Sequence, residues 1–292
     1  MDLVVWNARG IRGKIPELNN LINEIDILCV TESKLKEEDK LHMQGYNIER
    51  TNRRNNSNIG AGGTAIIIKK SITYQRLQLI NTPKLCEVTA VRINNIKHKE
   101  TLTIIVLYRQ PGHQMIKKEW SQFMDQFKKV RNLIITGDFN AHNTAWNCRN
   151  TDNNGTILAD AVWEADLYVI NTNTKSYMGS HDKSRSNLDL VIVSTNLIDK
   201  TDHQQVSDTW SSDHHPISVK INMITEYYRK KTNRITKKYM NWKKYKEVLL
   251  TWYNEKMKDW EKKDTQQVYN LLIEGLKYGV ENKKGKRIKQ KY

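Results

Sequence analysis

The sequence has few cysteines and no long apolar run, and both absences limit what the chain can be. Its cysteines, Cys29, Cys86 and Cys148, show no C-x-x-C spacing, which excludes a metal site of that kind, and a small odd set fits a reducing compartment. No apolar stretch is long enough to span a bilayer. The N-terminus lacks the charged start and small-residue cleavage site of a signal peptide. We therefore expect a soluble globular protein without a membrane partner.

Acidic residues are scarce in the last quarter of the chain. The net charge of +16 comes from 48 Lys and Arg against 32 Asp and Glu. Residues 225–292 hold 20 basic and 8 acidic side chains, a net of +12, which leaves 28 against 24, a net of +4, for residues 1–224. Such an excess suggests a polyanionic partner, most simply nucleic acid, and a solvated lysine-rich helical face is the alternative.

Apolar segments of strand length dominate residues 1–224, and they are 2–6, 27–31, 64–68, 85–93, 101–108, 133–136, 167–170, 188–193 and 216–221. Segments with apolar residues at helical spacing lie between them, and they are 15–25, 117–130 and 157–165. Some strands alternate and others are continuously apolar. This mixture predicts an α/β fold, a sandwich of two mixed sheets with helices on the outer faces.

The character of the sequence changes near residue 225. Residues 227–238 are basic and nearly free of aliphatic side chains, which predicts a linker. Two amphipathic helical patterns follow, and the chain ends in a basic run at 283–291. We therefore predict one domain at 1–224 and a basic helical extension at 225–292.

Polar side chains follow several of the predicted strands. Glu32 follows an apolar strand and suits a Mg²⁺ ligand, although it could also cap a helix. Asn7 follows the first strand and could support Glu32 or a metal-bound water, although it could also be a turn residue. Asp213, beside His214, could complete the metal site.

The segment GDFN, residues 137–140, follows another apolar strand and brings a carboxylate and an amide together. Asp138 suits a general base for water, and Asn140 suits orientation of water and phosphate. Asp189 lies inside an apolar strand, where a carboxylate needs a partner, and we expect that partner to be His214.

A paired His214 could donate to a phosphoryl oxygen, although it could also be a hydrogen-bonded core histidine. Tyr108 could contact the phosphate, although a strand-end tyrosine could also serve packing. Together these groups meet the needs of phosphodiester hydrolysis with Mg²⁺, or with Mn²⁺ in its place.

Several short motifs occur in a fixed order across residues 1–224, and they are VWNARG (5–10), VTES (30–33), GGTAI (62–66), YRQP (108–111), GDFNAH (137–142), LDL (188–190) and SDHHP (212–216). As a set they resemble the endonuclease/exonuclease/phosphatase superfamily, and more closely the apurinic-type endonuclease domain of non-LTR retrotransposons. The resemblance implies a four-layered α/β sandwich with its site where the two sheets open, and it implies the residue roles given above. It also implies nicking of one strand of double-stranded target DNA to leave a 3′-hydroxyl that primes reverse transcription.

The sequence departs from this pattern in two ways. Repair enzymes of the superfamily usually carry an aspartate where this chain has Arg9, so that metal ligand is missing here and a cation that could bind a DNA phosphate stands in its place. No reverse-transcriptase signature is present, so we expect the chain to be either a fragment or a truncated copy of an element. Its basic helices resemble a region that precedes the polymerase and could contact element RNA. From their place beside the motifs, the candidates for the DNA face are Arg9, Lys34, Arg109 and Asn143.

Two other functions stay open at this stage. One is a phosphatase or phosphodiesterase acting on a small or lipid substrate, and the other is a non-catalytic nucleic-acid-binding remnant of a truncated retroelement. A DNA substrate would place the protein in the nucleus, and the basic run at 283–291 could be an import signal or a solvated helix end.

Overall fold

The computed structural model describes residues 1–53, 60–94, 96–97, 100–179, 185–225, 241–256 and 262–281. The chain divides into two compact units, Met1–Arg229 and Lys230–Tyr292. The predicted linker at 227–238 and the basic run at 283–291 lie outside the described residues, and the predicted boundary after residue 224 stays a prediction.

Two six-stranded mixed sheets form the first unit. The first sheet has the order β13-β14-β1-β2-β4-β3, with β1 Asp2–Asn7, β2 Ile27–Thr31, β3 Tyr46–Thr51, β4 Thr64–Lys69, β13 Thr201–Gln205 and β14 Ile217–Ile221. The second has the order β5-β6-β7-β8-β12-β9, with β5 Tyr74–Leu77, β6 Cys86–Ile93, β7 Leu102–Arg109, β8 Leu133–Asp138, β9 Leu167–Val169 and β12 Asp189–Ser194. A small hairpin pairs β10 Tyr177–Met178 with β11 Arg185–Ser186.

The alternation of side chains along each central strand separates three apolar layers. In β2, Ile27 and Cys29 point into the core between the sheets, whereas Leu28 and Val30 face helix α1 (Ile15–Leu21). In β7, Ile104 faces the same inner core. Its neighbour Ile105 packs toward α2 (Lys117–Asp125) and α3 (Asn153–Glu164) on the other face. The order helix, sheet, sheet, helix confirms the predicted four-layered sandwich.

The three predicted helices of this unit are present with shifted ends. α1 stops at Leu21 and continues as a 3-10 turn, Ile22–Glu24, and α2 ends at Asp125 rather than at 130. α3 begins earlier than predicted because the Asp152 side chain accepts a hydrogen bond from the Gly155 amide at 2.6 Å and caps the helix.

The strands missed by the sequence analysis are β3, β5, β13 and the two strands of the hairpin. β3, β5 and β13 lie at sheet edges. Their side chains are mostly half-buried or exposed, so they lack the apolar pattern that marks the central strands.

The second unit contains the two predicted helices, α4 Trp242–Lys256 and α5 Thr265–Glu281. Trp252 is buried, and Gly275 of α5 lies against its ring, so close that a Cβ there would sit 2.5 Å from a ring carbon. Glycine therefore permits the close contact between the helices. Within the described parts of the chain, no helix is both long and apolar enough to cross a membrane.

Candidate active site

The polar strand-end residues meet at one edge of the sandwich because parallel neighbours end side by side. β1 runs parallel to β2, which places Asn7 opposite Thr31, the residue before Glu32. In the second sheet, β7 runs parallel to β8 and places Tyr108 opposite Asp138. Antiparallel β12 begins at the same level and places Asp189 opposite Asp138.

Left-handed backbone conformations recur at this edge. Arg9, Glu32, Lys34 and Asn140 have φ angles of 45°, 46°, 50° and 46°. Each costs on the order of 1–3 kcal/mol for a residue with a side chain, and such strain persists only where the surroundings enforce it. These conformations turn the chain sharply after the strands, so that the side chains lie at the edge where the site is.

Asp138, Asp189 and His214 form a group that we call the buried cluster. Their exposed fractions are 1%, 0% and 5%, and one potential ligand atom from each lies within 4.8 Å of the others. His214 Nδ1 lies 2.6 Å from Asp189 Oδ2, which is the pairing expected from the sequence. Because this bond occupies Nδ1, Nε2 is the ring nitrogen available to a substrate.

Backbone and amide donors fix Asp138 from both sides. Its Oδ1 accepts a hydrogen bond from the Asn140 amide at 2.9 Å, and its Oδ2 accepts one from Asn7 Nδ2 at 2.8 Å. Burial and the charge of Asp189 nevertheless raise the pKa of Asp138 to about 7, against the effects of His214 and the two donors. A carboxylate with a pKa near neutrality suits a general base.

The pKa of His214 moves in the direction that favours its charged form. Burial alone would lower it, but the charge and hydrogen bond of Asp189 outweigh burial and raise the pKa of His214 to about 9. The imidazole is therefore protonated near neutral pH and can donate from Nε2.

Glu32 is more accessible than the carboxylates of the buried cluster. Its side chain is 20% exposed, and it accepts hydrogen bonds from Tyr108 at 3.1 Å and from Asn7 at 3.3 Å. Burial would raise its pKa, but the hydrogen bond and charge of Lys34, with these two donors, outweigh burial and lower the pKa. Lys34 Nζ lies 3.1 Å from Glu32 Oε2.

Asp213 has a cationic partner of its own. Its Oδ2 forms an ion pair with the guanidinium of Arg9, whose side chain is 60% exposed. We call Glu32–Lys34 and Asp213–Arg9 the rim pairs. A third cation, Lys14, stays nearby because its Nζ donates to the Ala8 carbonyl at 2.5 Å and lies 5.0 Å from the Trp6 ring centroid.

Asn7 links the parts of the site. Its Nδ2 donates to both Glu32 and Asp138, while its Oδ1 accepts from the Arg9 amide at 3.0 Å and its carbonyl accepts from the Ser212 hydroxyl at 2.7 Å. Asn7 therefore contacts Glu32, the residue that the sequence predicts it to support. The Asn7 side-chain oxygen is already used, so its direct role as a metal ligand stays a prediction.

The sequence analysis missed Arg53, a residue that positions Tyr108. The Arg53 guanidinium lies 5.5 Å from the Tyr108 ring centroid, and its Nε donates to Glu87 at 2.6 Å. Tyr108 in turn directs its hydroxyl to Glu32. No sequence signal marks Arg53, because it lies beside the residues 54–59 that carry no motif and reaches the site only through the fold.

Two predicted DNA-face residues, Arg109 and Asn143, are buried and hydrogen-bond the backbone, and their contact with DNA stays a prediction. Arg109 is only 2% exposed, and its guanidinium donates to the carbonyls of Phe139, Asn140, Gln110 and His113. Asn143 is 9% exposed; its Oδ1 caps a 3-10 turn and its Nδ2 donates to the Gly155 carbonyl. A polar residue next to a motif can satisfy buried backbone groups as readily as it can bind a ligand.

The other two candidates, Arg9 and Lys34, lie on the accessible rim, as a DNA contact requires. Asn140 lies beside Asp138, and its Nδ2 donates to the Arg109 carbonyl at 2.8 Å. Its predicted contact with water and phosphate stays a prediction.

A pocket of about 510 Å³ adjoins the site and is lined by Arg9, Tyr177, Met178, Gly179, Arg185, Ser212 and Asp213. Strand β10 forms one wall, because Tyr177 bridges to His214 and the Met178 amide donates to the Asp213 carbonyl. The Tyr177 ring centroid lies 4.9 Å from that of His214. The pocket therefore brings an aromatic face and two arginines to the buried cluster.

The donor set fits a hard divalent cation. Asp189 Oδ1 and Asp213 Oδ1 are buried and have no hydrogen-bond partner among the described residues, so both retain acceptor capacity. Oxygen ligands are those that Mg²⁺ prefers. Glu32 suits the ion because its side chain is partly accessible and its lowered pKa favours the ionised form, whereas Asp189 is fully buried and paired with His214. The predicted ligands Glu32 and Asp213 do not fall into one compact metal cluster among the described residues.

The strand-end groups suit the hydrolysis of a phosphodiester. Residues 102–218 match the family model described as endonuclease-reverse transcriptase. A curated relative, the probable RNA-directed DNA polymerase from transposon X-element of Drosophila melanogaster, is 26% identical over 169 residues, which cover 57% of this chain and 18% of the relative. The chain spans about a fifth to a quarter of the length of the curated relatives that it matches.

Solved structures share the fold. The endonuclease domain of TRAS1, a telomere-specific non-LTR retrotransposon, superposes with a TM-score of 0.60 at 18% identity, covering 75% of this chain and 97% of that domain. The 3′ phosphatase NExo from Neisseria, bound to product DNA hairpin, gives a TM-score of 0.59 at 16% identity, covering 76% and 99%. The chain is therefore similar in sequence to the endonuclease-reverse transcriptase family over residues 102–218, and it shares the fold of these solved structures over about three quarters of its length.

Proposed function

We propose that this chain is a Mg²⁺-dependent endonuclease that nicks one strand of double-stranded DNA. The observation that carries the proposal is the buried cluster, in which a general base with a pKa near 7 lies beside a protonated histidine. The exposed cations Arg9 and Lys34 on the rim suit the phosphates of a polyanion. The similarity to an enzyme solved with a DNA hairpin supports DNA as the substrate.

In the proposed reaction, Asp138 accepts a proton from a water molecule that attacks the scissile phosphorus. A new phosphorus–oxygen bond forms, the bond to the 3′ oxygen breaks, and that oxygen takes a proton from solvent water and leaves as a 3′-hydroxyl. Asn140 lies beside Asp138 and orients the water and the phosphate. His214 donates from Nε2 to a phosphoryl oxygen as negative charge develops, and Asp189 holds the imidazole in its charged, oriented form.

Glu32 and Asp213 would hold the divalent ion, with Tyr108 and Asn7 fixing the Glu32 carboxylate. A bound Mg²⁺ would neutralise charge on the phosphoryl oxygens. Mn²⁺ has the same preference for oxygen ligands and would replace it.

The test is the conversion of supercoiled plasmid to open circle by the full chain, with Mg²⁺ or with EDTA. We expect Mg²⁺-dependent nicking that is lost in Asp138→Ala and His214→Ala, and kept in Lys36→Met as a matched surface control. Folded protein without nicking would overturn the proposal. Metal-independent DNA binding would then indicate a binding remnant, and hydrolysis of a small or lipid phosphate ester would indicate the other enzyme function.

We also propose that the helical unit contacts element RNA. In α4, Lys243 and Lys244 follow Trp242, which is 50% exposed, and Tyr253 is 46% exposed. Cations interleaved with accessible aromatic rings suit single-stranded nucleic acid, because bases stack on the rings. Replacing both lysines by Gln should weaken binding of a single-stranded RNA and reduce its salt dependence, and unchanged binding would contradict this role.

A nuclear location is part of the same proposal because the target is DNA. Fluorescence microscopy of the tagged chain checks it, and exclusion from the nucleus would count against it.

A further inference from the structure

The rim pairs place the chain's own cations on the carboxylates that a divalent ion would need. Lys34 Nζ lies 3.1 Å from Glu32, and Arg9 pairs with Asp213. The cationic side chains are 36% and 60% exposed, so both can move into solvent while the carboxylates, at 20% and 26%, stay in place. Ion pairs with this much solvent exposure contribute little free energy. A divalent ion that binds the carboxylate more strongly can therefore replace the lysine or arginine.

The backbone holds both rim pairs at one edge. Arg9, Glu32 and Lys34 all have left-handed φ angles. Backbone hydrogen bonds hold these turns: the Gly10 amide donates to the Glu32 carbonyl at 2.8 Å, and the Lys34 amide donates to the Gly62 carbonyl at 2.8 Å. The turns after β1 and β2 are therefore tied together, and each presents one acid-bound cation at the same rim.

The cations of the rim differ from Lys14 beside them. The Lys14 ammonium is anchored on a backbone carbonyl and over the Trp6 ring, so its charge is fixed. Lys34 and Arg9 have carboxylates as their partners, and those are the groups that a Mg²⁺ ion binds. If an ion bound the carboxylate, the lysine or arginine would lose its partner and could pair with another anion. In a complex with DNA, that anion is a phosphate.

We infer that Lys34 and Arg9 are exchangeable counter-cations: a divalent ion takes Glu32 and Asp213, and the released ammonium and guanidinium then bind the DNA phosphates. This inference rests on the proposed function. It makes ion binding and DNA binding mutually reinforcing, because DNA that draws the cations away also uncovers the carboxylates. Such coupling is reciprocal by thermodynamic necessity.

The first test measures Mn²⁺ binding to the full chain without DNA, by electron paramagnetic resonance. Lys34→Met should lower the Kd for Mn²⁺ by up to about fivefold, the worth of an exposed ion pair. Lys34→Arg keeps the charge and should bind as the wild type does. Lys36→Met is the matched control, because it removes the same charge two residues away, where the partner is Glu38 at 3.9 Å. Thermal unfolding of each variant verifies that it is folded.

Equal or weaker Mn²⁺ binding by folded Lys34→Met would overturn the inference while leaving the proposed endonuclease standing. Absence of Mn²⁺ binding by the wild type would overturn both the inference and the metal requirement. The plasmid assay with EDTA, which does not involve Lys34, then shows whether nicking survives without an ion.

The second test measures the coupling itself, in an Asp138→Asn background that prevents cleavage. Fluorescence anisotropy gives the affinity for a DNA duplex with and without Mg²⁺. Mg²⁺ also screens the phosphates, so the affinities are measured at equal ionic strength, and the Lys36→Met double variant shows how much the ratio changes when only a nearby positive charge is lost. In the Asp138→Asn protein, the ratio of the affinity with Mg²⁺ to the affinity without it should be about fivefold higher than in the Asp138→Asn, Lys34→Met double variant. Equal ratios in the two proteins would contradict the exchange.

Discussion

The buried cluster and the rim pairs share one strand-end site, but they hold their charges in different ways. Asp138, Asp189 and His214 are at least 95% buried and are fixed by one another and by Asn7. The rim pairs use long cationic side chains that are one-third to three-fifths exposed. Enclosure fixes geometry and shifts pKa values, whereas exposure permits exchange. This difference supports the proposal that the buried cluster transfers protons and that the rim binds ion and phosphate.

The largest expected effect comes from breaking the buried cluster. Asp189→Asn removes the charge that raises the pKa of His214, so less imidazolium is present and its orientation is lost. We expect the nicking rate to fall by about 10²–10⁴-fold, the usual worth of a positioned acid or base. A gel assay of plasmid nicking measures it. A loss of less than threefold, in folded protein, would remove Asp189 from the mechanism.

A substitution at Gly137, the residue before Asp138 in β8, tests how little space this strand leaves for a side chain. Its φ is 131°, and a Cβ there would lie 2.1 Å from the Leu107 carbonyl oxygen. Gly137→Ala should therefore destabilise the protein by about 3 kcal/mol or more, measured by urea unfolding. Gly13→Ala is the matched control, since nothing lies within 4 Å of its added Cβ, and it should change stability by less than about 0.5 kcal/mol. Similar effects at both glycines would contradict the strain argument.

Stability should fall as pH rises, because both shifted pKa values of the cluster lie above their ordinary values. The charged His214–Asp189 pair contributes fully below pH 6.5 and is lost as pH rises through about 9. Asp138 adds a penalty that grows as pH rises above its ordinary pKa of 3.8 and is complete above about pH 7, so only the end of this change falls in the same interval. We expect the free energy of unfolding to drop by on the order of 2 kcal/mol between pH 6 and 9.5.

Urea unfolding at several pH values measures this dependence, and His214→Gln should flatten it. A rise in stability over the same interval would show that the pKa of His214 is not raised.

The smallest expected effect is at the rim. Arg9→Met should weaken DNA binding by a few-fold and reduce the salt slope of the affinity by about one, as expected for one phosphate contact. Asp189→Asn should leave the salt slope unchanged, because a buried carboxylate does not contact the backbone of DNA. Anisotropy at several salt concentrations separates the two. Equal slopes in wild type and Arg9→Met would mean that Arg9 stays on Asp213.

The central strands were predictable because burial leaves a strong pattern. Ile27–Thr31 is continuously apolar and was predicted with its bounds as observed. Edge strands such as Thr201–Gln205 carry polar side chains on exposed faces, so no pattern marks them. The Asp189–His214 pairing was predictable from the cost of a carboxylate inside an apolar strand. The backbone contacts of Arg109 and Asn143 were not predictable, because only the folded structure shows which backbone carbonyls and amides need a side-chain partner.

The most direct test of the separate roles of the buried cluster and the rim pairs is the nicking rate as a function of Mg²⁺ concentration. It is measured for the wild type, Asp189→Asn and Lys34→Met. The account predicts that Asp189→Asn lowers the maximal rate without moving the half-saturating Mg²⁺ concentration. It predicts that Lys34→Met lowers the half-saturating concentration when DNA is kept far below saturation, because Lys34 then still pairs with Glu32 in the free protein. A maximal rate unaffected by Asp189→Asn, or a half-saturating concentration unmoved by Lys34→Met, would contradict it.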